Sequence, residues 1–192
     1  MTKTIITSIL MTVVLTVLVG IIYPLAMTGV AQLCFPKQAN GSLIEHNGKI
    51  IGSSLIGQSF SSPKFFHGRP SAAGTGYDGM ASGGSNLGPT SKALMDRITH
   101  DRDSLQKVYP ELTGMLPSDM LTTSASGLDP DISIANAMLQ ARVIARTNTL
   151  SLDIVESLVQ KHIQGRDLGF LGEPHVNVLE LNLDLLNHVP KP

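Results

Sequence analysis

The sequence predicts an α+β protein, with a single N-terminal transmembrane helix followed by a small extracytoplasmic α+β domain. Three observations carry that expectation. From Thr4 to Pro36 no Asp, Glu, Lys or Arg occurs. Behind this run about 160 residues remain, enough for one compact domain with its own core. Within them, two short apolar runs around Asn47-Gly48 precede three segments whose apolar residues recur at helical spacing.

The stretch Ile5 to Val30 reaches roughly 39 Å as a helix, enough to cross a hydrocarbon layer of about 30 Å with some tilt. Thr7, Ser8, Thr12 and Thr16 fit there because a hydroxyl bonds back to the carbonyl one turn earlier, and Pro24 asks only for a kink near the exit. Gly29-Val30-Ala31 offers a small-x-small cleavage site, so the rival reading is a removed secretory signal. The run far exceeds the roughly 7 to 15 residues of a signal's apolar region, which favours a retained anchor. Leu33 is too bulky for lipoprotein processing at Cys34. Residues 1–34 therefore read as the anchor, its span at about 5–30, and 35–192 as the domain. Lys3 and the terminal amine beside the span favour a cytoplasmic N-terminus, although Lys37 flanks the other end.

Composition narrows the class. The formal charge is −1 with a pI near 6.6. No basic run occurs, so a nucleic-acid footprint is absent. Aromatics make up 4% and Trp is missing, while 18 Gly and 11 Pro are present; the core must be aliphatic and long ordered turns are expected. Cys34 is the sole cysteine, which excludes an internal disulfide and reads as an apolar filler at the membrane interface.

In chain order, Phe35 to Asn40 leaves the membrane. Ser42–Glu45 and Lys49–Gly52 flank Asn47-Gly48, a pair that accepts the positive φ angles of a tight hairpin. Ser54–Gln58 extends the second strand. Ser61 to Pro89 is rich in Gly and Pro and has no apolar period, so it is a long loop, functional or disordered. Thr90 or Ser91 caps a helix over Lys92 to Val108, with Leu94, Ile98, Leu105 and Val108 on one side, and Pro110 stops it. Thr113 to Ser126 is irregular. Asp129-Pro130 starts a second helix running to about Arg146, where Ile134, Met138, Ala141 and Ala145 share a face and the alanines imply close packing. Ser151 caps a third, Leu152 to Ile163, stopped by Gly165. After the turn at Leu171–Pro174, Val176–Val178 is strand-like. The alternation then slips; a bulge accounts for it, but Asn177 with Glu180 also fits the cap of a short helix, and strand followed by helix is the favoured order.

Motifs for chemistry are sparse. The six histidines show no metal-ligand spacing, and no GxSxG, HExxH or P-loop occurs. Ser82-Gly83-Gly84-Ser85-Asn86 resembles a phosphate cradle only superficially; it reads as a tight turn before the helix at Lys92. The Asp129–Asp131 pair reads as a helix cap rather than a metal site. A membrane-tethered periplasmic hydrolase using Ser82 or Ser85, and a small-ligand binding module, stay as alternatives.

Larger blocks carry more. FSSPKFFHGRPSA from Phe60, Tyr77, SGGSNLGPTS at Ser82–Ser91, SGLDPDIS at Ser126–Ser133 and LGEPHVNVLELNL at Leu171–Leu183 resemble, in order, the signature blocks of the C subunit of the Kdp-type potassium-transporting P-type ATPase. With the anchor, the likeness spans essentially the whole chain. The resemblance implies a single-pass protein of the bacterial inner membrane, its N-terminus cytoplasmic and its domain periplasmic. It implies three protein partners, namely a channel-like potassium-binding subunit, the P-type ATPase catalytic subunit and a small single-span subunit, together with membrane lipid.

The role implied is non-catalytic: assembly and stabilisation of a high-affinity potassium uptake complex, and catalytic chaperoning that raises the ATP affinity of the hydrolysing subunit. No cofactor of its own follows, and ATP is expected only at the interface with the ATPase subunit. An outward-facing domain cannot touch a cytoplasmic nucleotide, so coupling would pass through the anchor and the partners. Two departures from the family pattern, Asp131 in place of a frequent His and the RTNTLS run from Arg146, fall near the second helix. Under this reading the block Ser61 to Thr90 is a rigid surface docking on the potassium-binding subunit, with Arg69, Tyr77, Ser82, Gly83, Gly84, Ser85 and Asn86 as partner-binding candidates. Equally open is that Arg69, Tyr77 and Asn86 satisfy the loop's own amides and carbonyls.

Overall fold

The computed structural model describes residues 1–108 and 114–189, and its α+β architecture matches the expected class. The chain divides into two compact units, the first ending at Ser53 and the second beginning at Ser54.

The first unit opens with α1, a 33-residue helix over Thr2–Cys34, none of whose apolar window is buried against protein. Such a surface suits lipid, so the helix fits a single-pass membrane span. Ser8 and Thr12 donate to the carbonyls of Thr4 and Ser8, both at 2.9 Å, which removes their polar cost in an apolar medium. Pro24 cannot donate to the carbonyl one turn back. The helix accommodates it by widening into a π turn over Leu18–Ile22, with Tyr23 N–H reaching Leu18 O. One short turn, α2 (Pro36–Ala39), follows. The hairpin is present as β1 (Leu43–His46) and β2 (Lys49–Ser53), its turn at Asn47 (φ 51°) and Gly48 (φ 75°), with a bulge in register after Ile44.

The second unit begins with no helix or strand until α3 (Lys92–Val108), as the aperiodic composition predicts. Ser54–Gln58 does not prolong β2. Its backbone is taken up elsewhere, Ser54 O accepting from Asn177 Nδ2 at 2.8 Å and Gly57 N donating to Leu128 O at 2.8 Å. In α3, Leu94, Ile98 and Leu105 are half-buried and no described residue is fully buried, in keeping with an amphipathic surface helix. Pro110, the predicted stop, lies outside the described residues.

The Asp129-Pro130 cap is not found. Asp131–Ser133 instead forms strand β3, and α4 (Ile134–Thr147) starts four residues later than expected, capped by Ser133, whose hydroxyl accepts from Asn136 N at 3.1 Å. The strand prevails because it has a partner: β5 (His175–Asn177) pairs antiparallel with it, Ile132 opposite Val176. Between them in sequence, α5 spans Leu152–Lys161 and β4 spans Ile163–Gln164. The third helix is thus shorter than expected, and Ser151 precedes it without a side-chain capping bond. Ile163 leaves the helix to pair with Val176 on the other edge of β5, so the sheet order is β3-β5-β4. The last element, α6 (Val178–His188), settles the slip in alternation: Asn177 caps it, accepting from Glu180 N at 3.1 Å.

The core lies between this sheet and α4, α5 and α6. Ala137, Ala141 and Ala145 sit on one buried stripe of α4, and their small side chains let α5 approach with Val155, Leu158 and Val159. Leu181 and Leu185 of α6 and Phe66 of the long loop are fully enclosed, each burial worth roughly 1.5–3 kcal/mol.

Candidate functional site

A loop that places Phe66 in the core must bring its backbone polar groups inside too, and each then needs a partner. Two helical amides supply them. Asn182 on α6 accepts from Phe66 N at 2.8 Å and donates to Phe66 O at 2.9 Å. One residue on, Gln140 of α4 does the same for His67, accepting from its N at 2.8 Å and donating to its O at 3.0 Å. Asn148 Nδ2 donates to Lys64 O at 2.8 Å. Behind Gln140, its Nε2 donates to Asn136 Oδ1 at 2.8 Å, and Asn136 Nδ2 donates to Asp119 Oδ2 at 3.0 Å. Asp119 also takes the N–H and hydroxyl of Ser133 at 2.7 and 3.0 Å, so the network ends at the start of α4. The loop is therefore held from below by buried amides, a rigid arrangement because Asn136, Gln140 and Asn182 each bond through both the oxygen and the nitrogen of the side chain.

Further along, Arg69 ties the loop to a second segment. Its guanidinium meets Asp129 Oδ2 at 3.0 Å and donates to the carbonyls of Thr122 and Thr123 at 3.4 and 3.2 Å. Tyr77 stands at φ 56°; its hydroxyl donates to Arg69 O at 2.6 Å and its N–H to Ser71 Oγ at 2.7 Å. Gly68 lets the phenol in, since a Cβ there would strike Tyr77 Oη. Burial and the nearby Asp129 carboxylate push the Tyr77 phenol above its ordinary pKa.

Ser82–Asn86 is not a tight turn. It runs extended beside residues 123–127: Gly83 N donates to Ser126 O at 2.9 Å, Ser82 Oγ to the same carbonyl at 3.0 Å, and Thr123 Oγ1 to Ser85 Oγ at 3.2 Å. A turn predicted from glycine content loses to a neighbouring segment whose carbonyls accept these donors. Asn86 (φ 51°) and Ser82 are exposed, and Gly83, Gly84 and Ser85 half-exposed, along the outer edge.

The structure thus gathers all seven predicted residues into one layer formed by the loop and residues 122–129. Arg69 and Tyr77 are engaged inside it, and Asn86 faces out. Sequence reasoning missed Asp119, Asn136, Gln140 and Asn182. A signal for three of them existed: each is an amide on the apolar stripe of its helix, where a polar residue implies a buried partner.

The hydroxyls of Ser82 and Ser85 meet a carbonyl and another hydroxyl, not the base that activates a nucleophile. Among the described residues no three His, Cys, Asp or Glu side chains gather as a metal site. Asp131 of β3 faces His175 Nε2 of β5 at 3.8 Å; burial raises the Asp131 carboxyl, with His175 opposing.

Among the described residues, one apolar helix long enough to cross a membrane precedes a small α+β unit with a pinned surface loop, which fits a single-pass membrane protein. Residues 5–187 match the family model described as K+-transporting ATPase, c chain, and the chain belongs to that family. It is 55% identical over 193 residues to the potassium-transporting ATPase KdpC subunit of Koribacter versatilis, covering 100% of this chain and 98% of that one. The KdpC subunit of Gemmatimonas aurantiaca is 55% identical over 179 residues, covering 93% and 89%. That of Mycobacterium bovis is 51% identical over 177 residues, covering 91% and 93%.

Proposed function

We propose that this chain is the non-catalytic accessory subunit of a high-affinity, ATP-driven potassium uptake complex. Its domain stands on the periplasmic side of a bacterial inner membrane and its N-terminus in the cytoplasm. It docks through the outer edge of the loop, Ser82 to Asn86, on the potassium-binding subunit, and contacts the catalytic and small single-span subunits through the membrane. Family membership supports the potassium complex as the setting. The observation that carries the docking role is the amide clamp on Phe66 and His67, which orders the loop before any partner arrives, so little entropy is lost on docking.

As a catalytic chaperone, the subunit binds one conformational state of the complex better than another, and that preference raises ATP affinity at the distant ATPase subunit without nucleotide touching this domain. The test is ATP half-saturation of the purified complex with and without this chain. Its removal is expected to raise the half-saturating concentration by about 5- to 150-fold, the range of ordinary allosteric coupling. An unchanged value in an intact complex overturns the chaperone role. Digestion of the domain by an impermeant protease added to spheroplasts is the expected topology result; protection reverses the orientation.

A further inference from the structure

A cavity of about 300 Å³ opens between α3, α4 and the clamped loop. Its apolar walls are Pro63, Phe65, Leu105, Met120, Val143 and Ile144. Asn136 and Gln140 border it, but their amides already bond each other, the loop and Asp119. Ser104 adds a hydroxyl from α3. His67 lines the cavity, and its Nε2 is buried with no hydrogen-bond partner.

The state of that atom follows from the rest of the ring. The backbone of Phe60 lies near the imidazole, and Nε2 has no partner within hydrogen-bond distance. Burial holds the ring below its ordinary pKa and so neutral. In the neutral tautomer that carries its proton on Nδ1, Nε2 offers a lone pair to the cavity. A buried acceptor without a donor is destabilising. The volume is about twice that of a cavity that holds benzene, which sets the guest at roughly a dozen heavy atoms.

We propose that this cavity binds a small apolar molecule bearing one hydroxyl, of the alkylphenol or aryl-alcohol class, with the hydroxyl donating to His67 Nε2. The site is independent of the docking edge and of any role in ATP affinity.

The probe is 4-butylphenol, compared with 4-butyltoluene, which replaces the hydroxyl by a methyl group of the same size. Full-length protein in lipid nanodiscs, labelled with ¹⁵N-histidine and ¹³C-methyl groups, reports binding at Ile144 and Val143 and the bond at His67 Nε2. The phenol is expected to shift both sets and to half-saturate at a free concentration at least threefold below that of the toluene. In H67F that order is expected to reverse. Ser104→Phe, which fills the chamber from half-buried α3, is expected to abolish the shifts while the resonances of α4 and α6 stay in place. Equal or tighter binding of the toluene to the unaltered protein overturns the proposal, as does the absence of any shift from the phenol, or phenol binding retained in S104F.

Discussion

Asn182 and Phe66 are 116 positions apart in sequence, yet both hydrogen-bonding groups of the Asn182 amide are used on the backbone of Phe66, at 2.8 and 2.9 Å. The pairing imitates one rung of a β-ladder with a side chain in place of a strand. It lets a loop without secondary structure put an aromatic residue, wholly enclosed, into the core.

Asn182→Leu therefore leaves Phe66 N–H and C=O buried and unpaired. At about 1–3 kcal/mol for each unsatisfied group, the expected loss is roughly 2–6 kcal/mol in denaturant unfolding. Hydrogen exchange at the Phe66 amide is expected to quicken in step. A variant as stable as the parent would show that the loop finds other partners.

Gly127 marks a second contact. Its φ is +67°, and a Cβ would come within 2.6 Å of both Ala73 N and Gly83 O. Gly127→Ala is expected to cost at least about 2 kcal/mol from strain and displaced backbone. Gly88→Ala, where nothing lies within 4 Å, is expected to stay within about 0.5 kcal/mol. Thermal unfolding of the two variants side by side checks the contrast.

Tyr77 and Asn86 separate support of the loop from presentation by it. Tyr77→Phe removes the hydroxyl that donates to Arg69 O and is expected to cost about 1 kcal/mol of stability. Asn86→Gly accepts the same positive φ without strain, so stability is expected to change by less than about 0.5 kcal/mol. Co-purification with the potassium-binding subunit is expected to weaken in Asn86→Gly. Retained co-purification would remove Asn86 from the interface.

Asp184 sets an acid limb. Its carboxylate takes a hydrogen bond from Lys161 Nζ at 2.7 Å and lies 3.0 Å from His162 Nε2, and these hold its pKa at about 2 against an ordinary 3.8. A carboxyl depressed on folding contributes stability that is present above the unfolded value and lost as pH falls through the folded one. In Asp184→Asn the decline in stability from pH 3.8 toward pH 2 is expected to be shallower than in the parent. Denaturant midpoints across that window, with Lys161→Met as a partner control, test it.

Much of this architecture was legible in the chain because its causes are local. An uncharged run of sufficient length makes one helix long enough to span a membrane, Asn47-Gly48 makes a hairpin turn, and apolar spacing sets α3 from Lys92 to Val108 as read. Asn177 with Glu180 marked the start of α6, since capping acts across three residues. The rest depended on groups remote in sequence. Whether Asp131–Ser133 begins a helix or forms a strand was decided by His175–Asn177, which offers a complete set of ladder partners. Whether Ser82–Asn86 turns or extends was decided by the carbonyl of Ser126. The clamp on Phe66 and His67 depended on amides from two helices that only the folded core brings together. Local propensity differs between such alternatives by about 1 kcal/mol or less, whereas leaving several buried backbone groups unpaired costs more, so the tertiary partners decide.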